Sequence, residues 1–123
     1  MKDFVIKATL NLDTQKVKVY SQNKLIGEYA FTNCRLLTSI TIPSGVTSIG
    51  DSAFNTCNSL TSITIPSGIT SIGEYAFSGC SHLNSITFEK GSKLKTISYG
   101  AFYNCISLSE INIPSGITSI GES

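Results

Sequence analysis

The sequence predicts a solenoid: short coils of chain stacked on one another, with parallel β-strands on one face, short helical turns on the other and a β-hairpin over the N-terminal end. Three observations predict it. Aligning the chain on itself brings Phe31, Phe54, Phe77 and Phe102 into register at separations of 23, 23 and 25 residues. The same offsets align Ala30, Ala53, Ala76 and Ala101, then Cys34, Cys57, Cys80 and Cys105, then Leu37, Leu60, Leu83 and Leu108. Each unit also holds a segment alternating with the period of a strand, such as Leu60, Ile63 and Ile65 inward with Ser62 and Thr64 outward. A coil of this size cannot bury its apolar face alone, so neighbouring coils must stack.

Residues 1–26 form a hairpin cap and an incomplete first coil. The run Phe4 to Leu10 alternates, Asn11-Leu12-Asp13-Thr14 joins it to the next run, and Val17, Val19 and Ile26 fall at the spacing of Ile40, Ile42 and Ile49. Lys2, Lys7, Lys16 and Lys18 give this end the polar outer face that a terminal coil needs. Four units follow at 27–49, 50–72, 73–97 and 98–120, with a fifth starting at 121–123. In three of them the strand segment stops at a proline (Pro43, Pro66, Pro114), whose missing N–H ends a ladder, and in each a glycine turns the chain. Ile49, Ile72, Ile97 and Ile120 supply a second inward layer. The stretch from there to the cysteine is long enough for one or two helical turns, with Glu28, Asp51 and Glu74 in the first turn, where a carboxylate meets the positive end of a helix. The 73–97 unit departs from the pattern: Glu89 replaces proline and two extra residues lie in Lys90 to Lys93, which predicts a bulging loop. Ser98 then stands in the landmark glycine place of the next unit.

A period in the twenties is the length of one leucine-rich-repeat coil, so the fold class is a leucine-rich-repeat solenoid of α/β type. The unit from Gly50 to Ile72, GDSAFNTCNSLTSITIPSGITSI, resembles the BspA-like class of these repeats, and the landmarks cover roughly Gly27 to Ile120. The resemblance implies a right-handed solenoid and a cell-surface or secreted protein that adheres to host matrix or cell-surface proteins. It carries no shared catalytic residues and implies no cofactor.

Composition narrows the function. The 123 residues suit one domain, and only 14% are charged, with a formal net charge of +1. Serine, threonine and asparagine coat the surface instead. Nucleic acid and acidic membranes are gathered by clustered Lys and Arg, and no such global field exists here. No apolar stretch spans a bilayer, and the opening residues show no apolar signal core, which leaves the cytoplasm open beside the surface location that the resemblance implies.

Sites of chemistry are scarce. Four cysteines one coil apart form a row rather than a zinc cage, whose ligands come in closely spaced pairs, and a row of buried thiols packs as small hydrophobes. His82 precedes the inward Leu83 and so lies on an outer turn, away from any nucleophile. The glycines follow the structural period, not a phosphate loop. Neither a catalytic site nor a metal site is expected, and the chain reads as a binding protein rather than an enzyme.

Two faces are candidates for protein binding. Strand alternation assigns the concave one Lys16, Lys18, Ser39, Thr41, Ser62, Thr64, Ser85, Thr87, Glu110 and Asn112. On the convex one, Tyr29, Arg35, Leu36, Tyr75 and Tyr103 vary from coil to coil, which marks positions the fold does not dictate. At the C-terminal end Ile111, Ile113, Ile117 and Ile120 make an open edge. Either further coils cover it or two chains pair there as a homodimer. The leading reading is a recognition or adhesion module. Its rivals are an assembly element acting through the open edge and an intracellular inhibitor of a partner protein.

Overall fold

The protein is described from a computed structural model, which covers residues 8–11, 16–19, 25–109 and 111–121. Its strands, in chain order, are β1 (Ala8–Asn11), β2 (Lys16–Val19), β3 (Leu25–Ile26), β4 (Ser39–Thr41), β5 (Ser48–Ile49), β6 (Ser62–Ile65), β7 (Ser71–Ile72), β8 (Ser85–Phe88), β9 (Thr96–Ile97) and β10 (Ser119–Ile120). The alternating segments become β2, β4, β6 and β8. β2 runs parallel to β4 with Val17 opposite Ile40, and β6 runs parallel to β8 with Ser62 opposite Ser85 and Ile63 opposite Ile86. Isoleucine thus stacks on isoleucine and hydroxyl on hydroxyl. A slip of one residue would turn every inward side chain to solvent, so burial fixes the register. β1 lies antiparallel on β2, Ala8 opposite Val19, and covers its outer edge as the hairpin reading expects. Asn11, expected in the joining segment, closes β1; the rest of that segment lies outside the described residues.

A second sheet was hidden in the sequence. β3, β5, β7, β9 and β10 pair in parallel into five strands of two residues each. Two residues are too short to show alternation, so only the inward layer of isoleucines was legible. The glycine after each strand reports how closely the coils approach. A Cβ on Gly50 would stand 2.8 Å from Glu28 N and Ile26 O, and one on Gly73 would stand 2.6 Å from Asp51 N. Ser98 holds this place one coil on. Its N–H reaches Ile72 O at 3.0 Å, whereas Gly73 reaches Ile49 O at 2.8 Å and Gly50 reaches Ile26 O at 2.7 Å, so the stack opens slightly to admit the extra carbon. Gly73→Ala, which forces a methyl onto backbone, is expected to cost about 1–3 kcal/mol, read as a lower urea midpoint.

The stretches expected as helical turns are something else. Among the described residues none is helical; residues 28–33, 51–56, 74–79 and 99–104 are runs of hydrogen-bonded turns. Alternate N–H groups do two jobs. Ala30, Thr32 and Cys34 donate three residues back, to Gly27, Tyr29 and Phe31, while Tyr29, Phe31 and Asn33 donate across to Asp51, Ala53 and Asn55 of the next coil. Two residues per coil sit in the left-handed region, Tyr29 and Asn33 in one, Ser52 and Thr56 in the next. These positive φ angles break a helix while they aim every second N–H along the stack. Without a helix there is no dipole for the carboxylates to meet. Asp51 instead accepts the Glu74 N–H at 2.8 Å, one coil capping another. Thr56, branched at Cβ, holds φ +61 where sister coils have Asn33, Gly79 and Asn104. Thr56→Asn is therefore expected to raise stability by roughly 0.5–1 kcal/mol, visible as a higher melting temperature.

Between the sheets and the turns lies a single core of repeated columns. Val46, Ile69 and Leu94 are fully buried, a column the sequence reading did not single out, and Ile117 packs against the core beneath it. Phe31, Phe54, Phe77 and Phe102 stack with centroids 5.2, 5.1 and 5.5 Å apart and planes within 13° of parallel. The cysteines form the expected row. Cys57, Cys80 and Cys105 are buried and donate S–H bonds to Phe31 O at 3.1 Å, Phe54 O at 3.2 Å and Phe77 O at 3.1 Å; Cys34, at the first coil, is half-buried. Hydroxyls add further ties, Thr70 to Thr47 O at 3.2 Å and Thr118 to Lys95 O at 3.1 Å, which is how a chain so poor in charge holds its coils together.

The irregular unit behaves as its sequence suggests until the last coil. Glu89 supplies the N–H that proline lacks, donating to Ile65 O at 3.0 Å, and its carboxylate accepts the Ser67 N–H at 3.0 Å. The extra residues turn at Lys90 and Gly91 before Leu94 returns to the core. The strand expected around Ile111 to Ile113 does not form: residues 111–114 belong to no ladder. The coil at 98–120 here stacks under the 73–97 coil, which is two residues longer.

Candidate protein-binding surfaces

The strand face is built as alternation requires. Thr41, Ser62, Thr64, Ser85, Thr87 and Asn112 are exposed and Ser39 is half-buried. Lys16 and Lys18 occupy β2 opposite Ser39 and Thr41. Their side chains and the whole of Glu110 lie outside the described residues. Rows of short hydroxyls offer hydrogen bonds but none of the aromatic or arginine anchors that dominate binding hot spots.

The turn face is richer. Tyr29, Arg35 and Leu36 are exposed in one coil. Two coils on, Tyr75 and Tyr103 are brought together with Tyr99, which the sequence reading missed. Tyr75 meets Tyr99 edge to face at 5.5 Å and Tyr103 at 6.5 Å, and Tyr99 and Tyr103 each keep 49% of their surface exposed. Gly100 makes the cluster possible, since a Cβ there would lie 2.6 Å from the Tyr75 ring. Desolvation, followed by a hydrogen bond with Tyr99, pushes the Tyr75 phenol above the ordinary tyrosine value. Tyr99 takes the place held by Glu28, Asp51 and Glu74 in earlier coils, so the signal that finds it is an aromatic residue replacing a carboxylate in register. Ile106 is exposed in the same coil.

His82 lies on an exposed outer turn, where its Nδ1 donates to Asn58 O at 2.6 Å in the tautomer that carries the proton there. Among the described residues no three His, Cys, Asp or Glu side chains gather to hold a metal ion. No helix among them is long and apolar enough to cross a membrane. At the C-terminal end Ile111 is half-buried, Ile117 is packed on the core, and Ile113 and Ile120 are exposed, Ile120 by 60%.

Parallel strands, stacked coils and inward columns at this period define a leucine-rich-repeat protein. The chain matches the BspA type leucine rich repeat region in six copies over residues 7–123, and it belongs to that family. The match begins well before Gly27. The early coil lacks the phenylalanine and cysteine landmarks but keeps the register that seats Val17 on Ile40. Among solved structures, the chain is similar to the pneumococcal vaccine antigen PcpA, at 30% identity and a TM-score of 0.72, over 85% of this chain and 26% of that one. It is similar to a leucine-rich repeat protein of T. pallidum, at 26% identity and a TM-score of 0.67, over 98% of this chain and 54% of that one. A leucine-rich cell surface protein of Faecalibacterium prausnitzii gives 26% identity and a TM-score of 0.60, over 99% of this chain and 44% of that one. The chain thus spans between about a quarter and about a half of these proteins' length. Comparison with curated protein sequences finds no match.

Proposed function

We propose that this repeat module is a non-enzymatic recognition or adhesion element of a surface protein and binds a protein partner through its turn face. The cluster of exposed Tyr99 and Tyr103 against half-buried Tyr75 carries this reading. The fold requires no aromatic residue at these places, as Ser52, Asp51 and Asn55 show in a sister coil. Tyrosine supplies large contact area at small entropic cost. Likeness to a leucine-rich cell surface protein supports a surface or secreted location. The test is binding of purified extracellular-matrix proteins, in parallel with a cytosolic extract, to the immobilised domain. Saturable binding of a matrix protein that weakens about tenfold or more in Tyr99→Ser/Tyr103→Ser supports adhesion. Binding unaffected by those changes overturns the assignment to the turn face, and enrichment from cytosol alone favours an inhibitor.

A second reading has its own observation. Ile113 and Ile120 are exposed on the last coil, a surface that either further coils or a second copy of the chain would cover. Light scattering decides it: a concentration-dependent dimer that Ile120→Glu dissolves supports assembly, and a monomer at every concentration removes it.

A further inference from the structure

The tyrosine cluster has a shape as well as an exposed area. Gly100 takes the register of Tyr75 one coil on and holds φ +66. The Tyr75 ring lies over it, in the space a side chain there would fill, since a Cβ would stand 2.6 Å from the ring. Tyr99 and Tyr103 come from either side of that glycine in the chain. Their rings stand at 81° and 85° to the Tyr75 ring, with centroids 5.5 and 6.5 Å from it. Two rings upright against a third form an aromatic corner, and the two upright ones each keep 49% of their surface open.

Charge says what the corner takes. Glu74 is exposed and precedes Tyr75, whose N–H reaches Tyr99 O at 3.0 Å, so Glu74 and Tyr99 are neighbours in register on adjacent coils. The Glu74 carboxylate has no hydrogen-bond or ion-pair partner among the described residues. No lysine or arginine lies between Arg35 and Lys90 or after Lys95, so neither coil's turn supplies one. After desolvation and the bond with Tyr99, Glu74 also helps to hold the Tyr75 phenol above its ordinary value, so its field is felt at the cluster. Aromatic faces carry partial negative charge, and rings and carboxylate therefore attract the same thing, a cation. Guanidinium suits both, because it stacks flat on an aromatic face and presents N–H groups in a plane to a carboxylate. We propose that the corner of Tyr75, Tyr99 and Tyr103 receives an arginine side chain of the protein partner, its N–H groups directed to Glu74. This site rests on the turn-face reading above and narrows the partner to one that presents an exposed arginine.

NMR titration of the nitrogen-labelled domain tests it, with an end-capped Gly-Ser-Arg-Ser-Gly peptide and its citrulline counterpart, which keeps the shape and loses the charge. The Gly100 and Asn104 amide signals should shift saturably with the arginine peptide, and citrulline should bind about fivefold or more weaker. Tyr99→Leu/Tyr103→Leu keeps apolar bulk without the aromatic faces, and Glu74→Gln keeps shape without charge. Each should weaken arginine binding about threefold or more, with the amide spectrum elsewhere unchanged as the sign of an intact fold. Equal binding of the two peptides overturns the proposal, as does arginine binding that survives both variants or a titration that never saturates. Matrix-protein binding that falls in Tyr99→Ser/Tyr103→Ser but ignores Glu74→Gln and competing arginine peptide keeps the adhesion reading and removes the arginine site. Arginine-peptide binding without any matrix-protein binding keeps the site and removes adhesion to matrix.

Discussion

Phe77→Ala should cost about 3–5 kcal/mol, against roughly 6–18 kcal/mol for the whole of a domain this size, and the loss should be shared by its neighbours. Phe77 is fully buried and sits between two rings, Phe54 at 5.1 Å and Phe102 at 5.5 Å, both nearly parallel to it. A face-to-face sandwich would be closer, so centroids about 5 Å apart are set by the strand spacing of the stacked coils. The rings are spacers as well as filling. Removing the middle one leaves a cavity that neither neighbour closes without moving its own coil. In a solenoid each coil touches only its neighbours, so damage is local but cuts the stack in two. Urea denaturation of Phe77→Ala should show a lower midpoint and, if the halves uncouple, a smaller slope. Phe102→Ala, at a half-buried position, should cost less. Equal losses at both sites would mean that the stack does not transmit the strain.

Much of this architecture was legible because repetition multiplies weak signals. One Ala-Phe-x-x-Cys string means little, but four in register place Phe54, Phe77, Cys57 and Cys80 inside the core, as found. The strand face followed from the alternation of Ile63 and Ile65 with Ser62 and Thr64. Legibility failed where the determinant was backbone geometry. The turns at 51–56 have the length of helical turns, and only the positive φ of Ser52 and Thr56 tells them apart. No residue type announces that angle, since tyrosine, serine and threonine all adopt it here. The second sheet escaped for a related reason: its signature is the glycine after Ile49 and Ile72, needed for close coil contact and easily mistaken for a turn marker.

Surface organisation was half legible. Tyr75 and Tyr103 stood out because they vary between coils, but Tyr99 joined them only in three dimensions, through the gap that Gly100 leaves. A groove beside Phe88 and Glu89 is lined in part by Gly91 and Ser92, within the run that holds the two extra residues. What the sequence could not show is which side of the coil absorbs them. Among the described residues the ladder is missing at 111–114, where Pro114 has no N–H to donate as Glu89 does one coil earlier.

The domain should also lose stability steeply in alkali, because its thiols are held protonated. Burial pushes Cys80 up to about 12 and Cys105 up to about 11 from an ordinary value of 9.0, and drives Cys57 in the same direction. The nearby thiols Cys80 and Cys34 add to the effect at Cys57, and Cys105 adds to it at Cys80. In the unfolded chain each thiol ionises near its ordinary value, so their contribution is fully present below about pH 9 and is lost as pH rises toward the folded values. At pH 11, two units above that value, Cys80 alone should forfeit on the order of 2–3 kcal/mol. The same burial withholds the thiolate, so iodoacetamide at pH 8 should label the folded row slowly and the urea-unfolded chain fast. Denaturation between pH 8 and 11 checks the first point. Cys57→Ala/Cys80→Ala should start less stable through lost packing and lost bonds to Phe31 and Phe54, yet fall less steeply with pH. If the double variant falls as steeply as the parent, the alkaline loss comes from tyrosine or lysine titration, and the buried thiols are packing groups without a part in it.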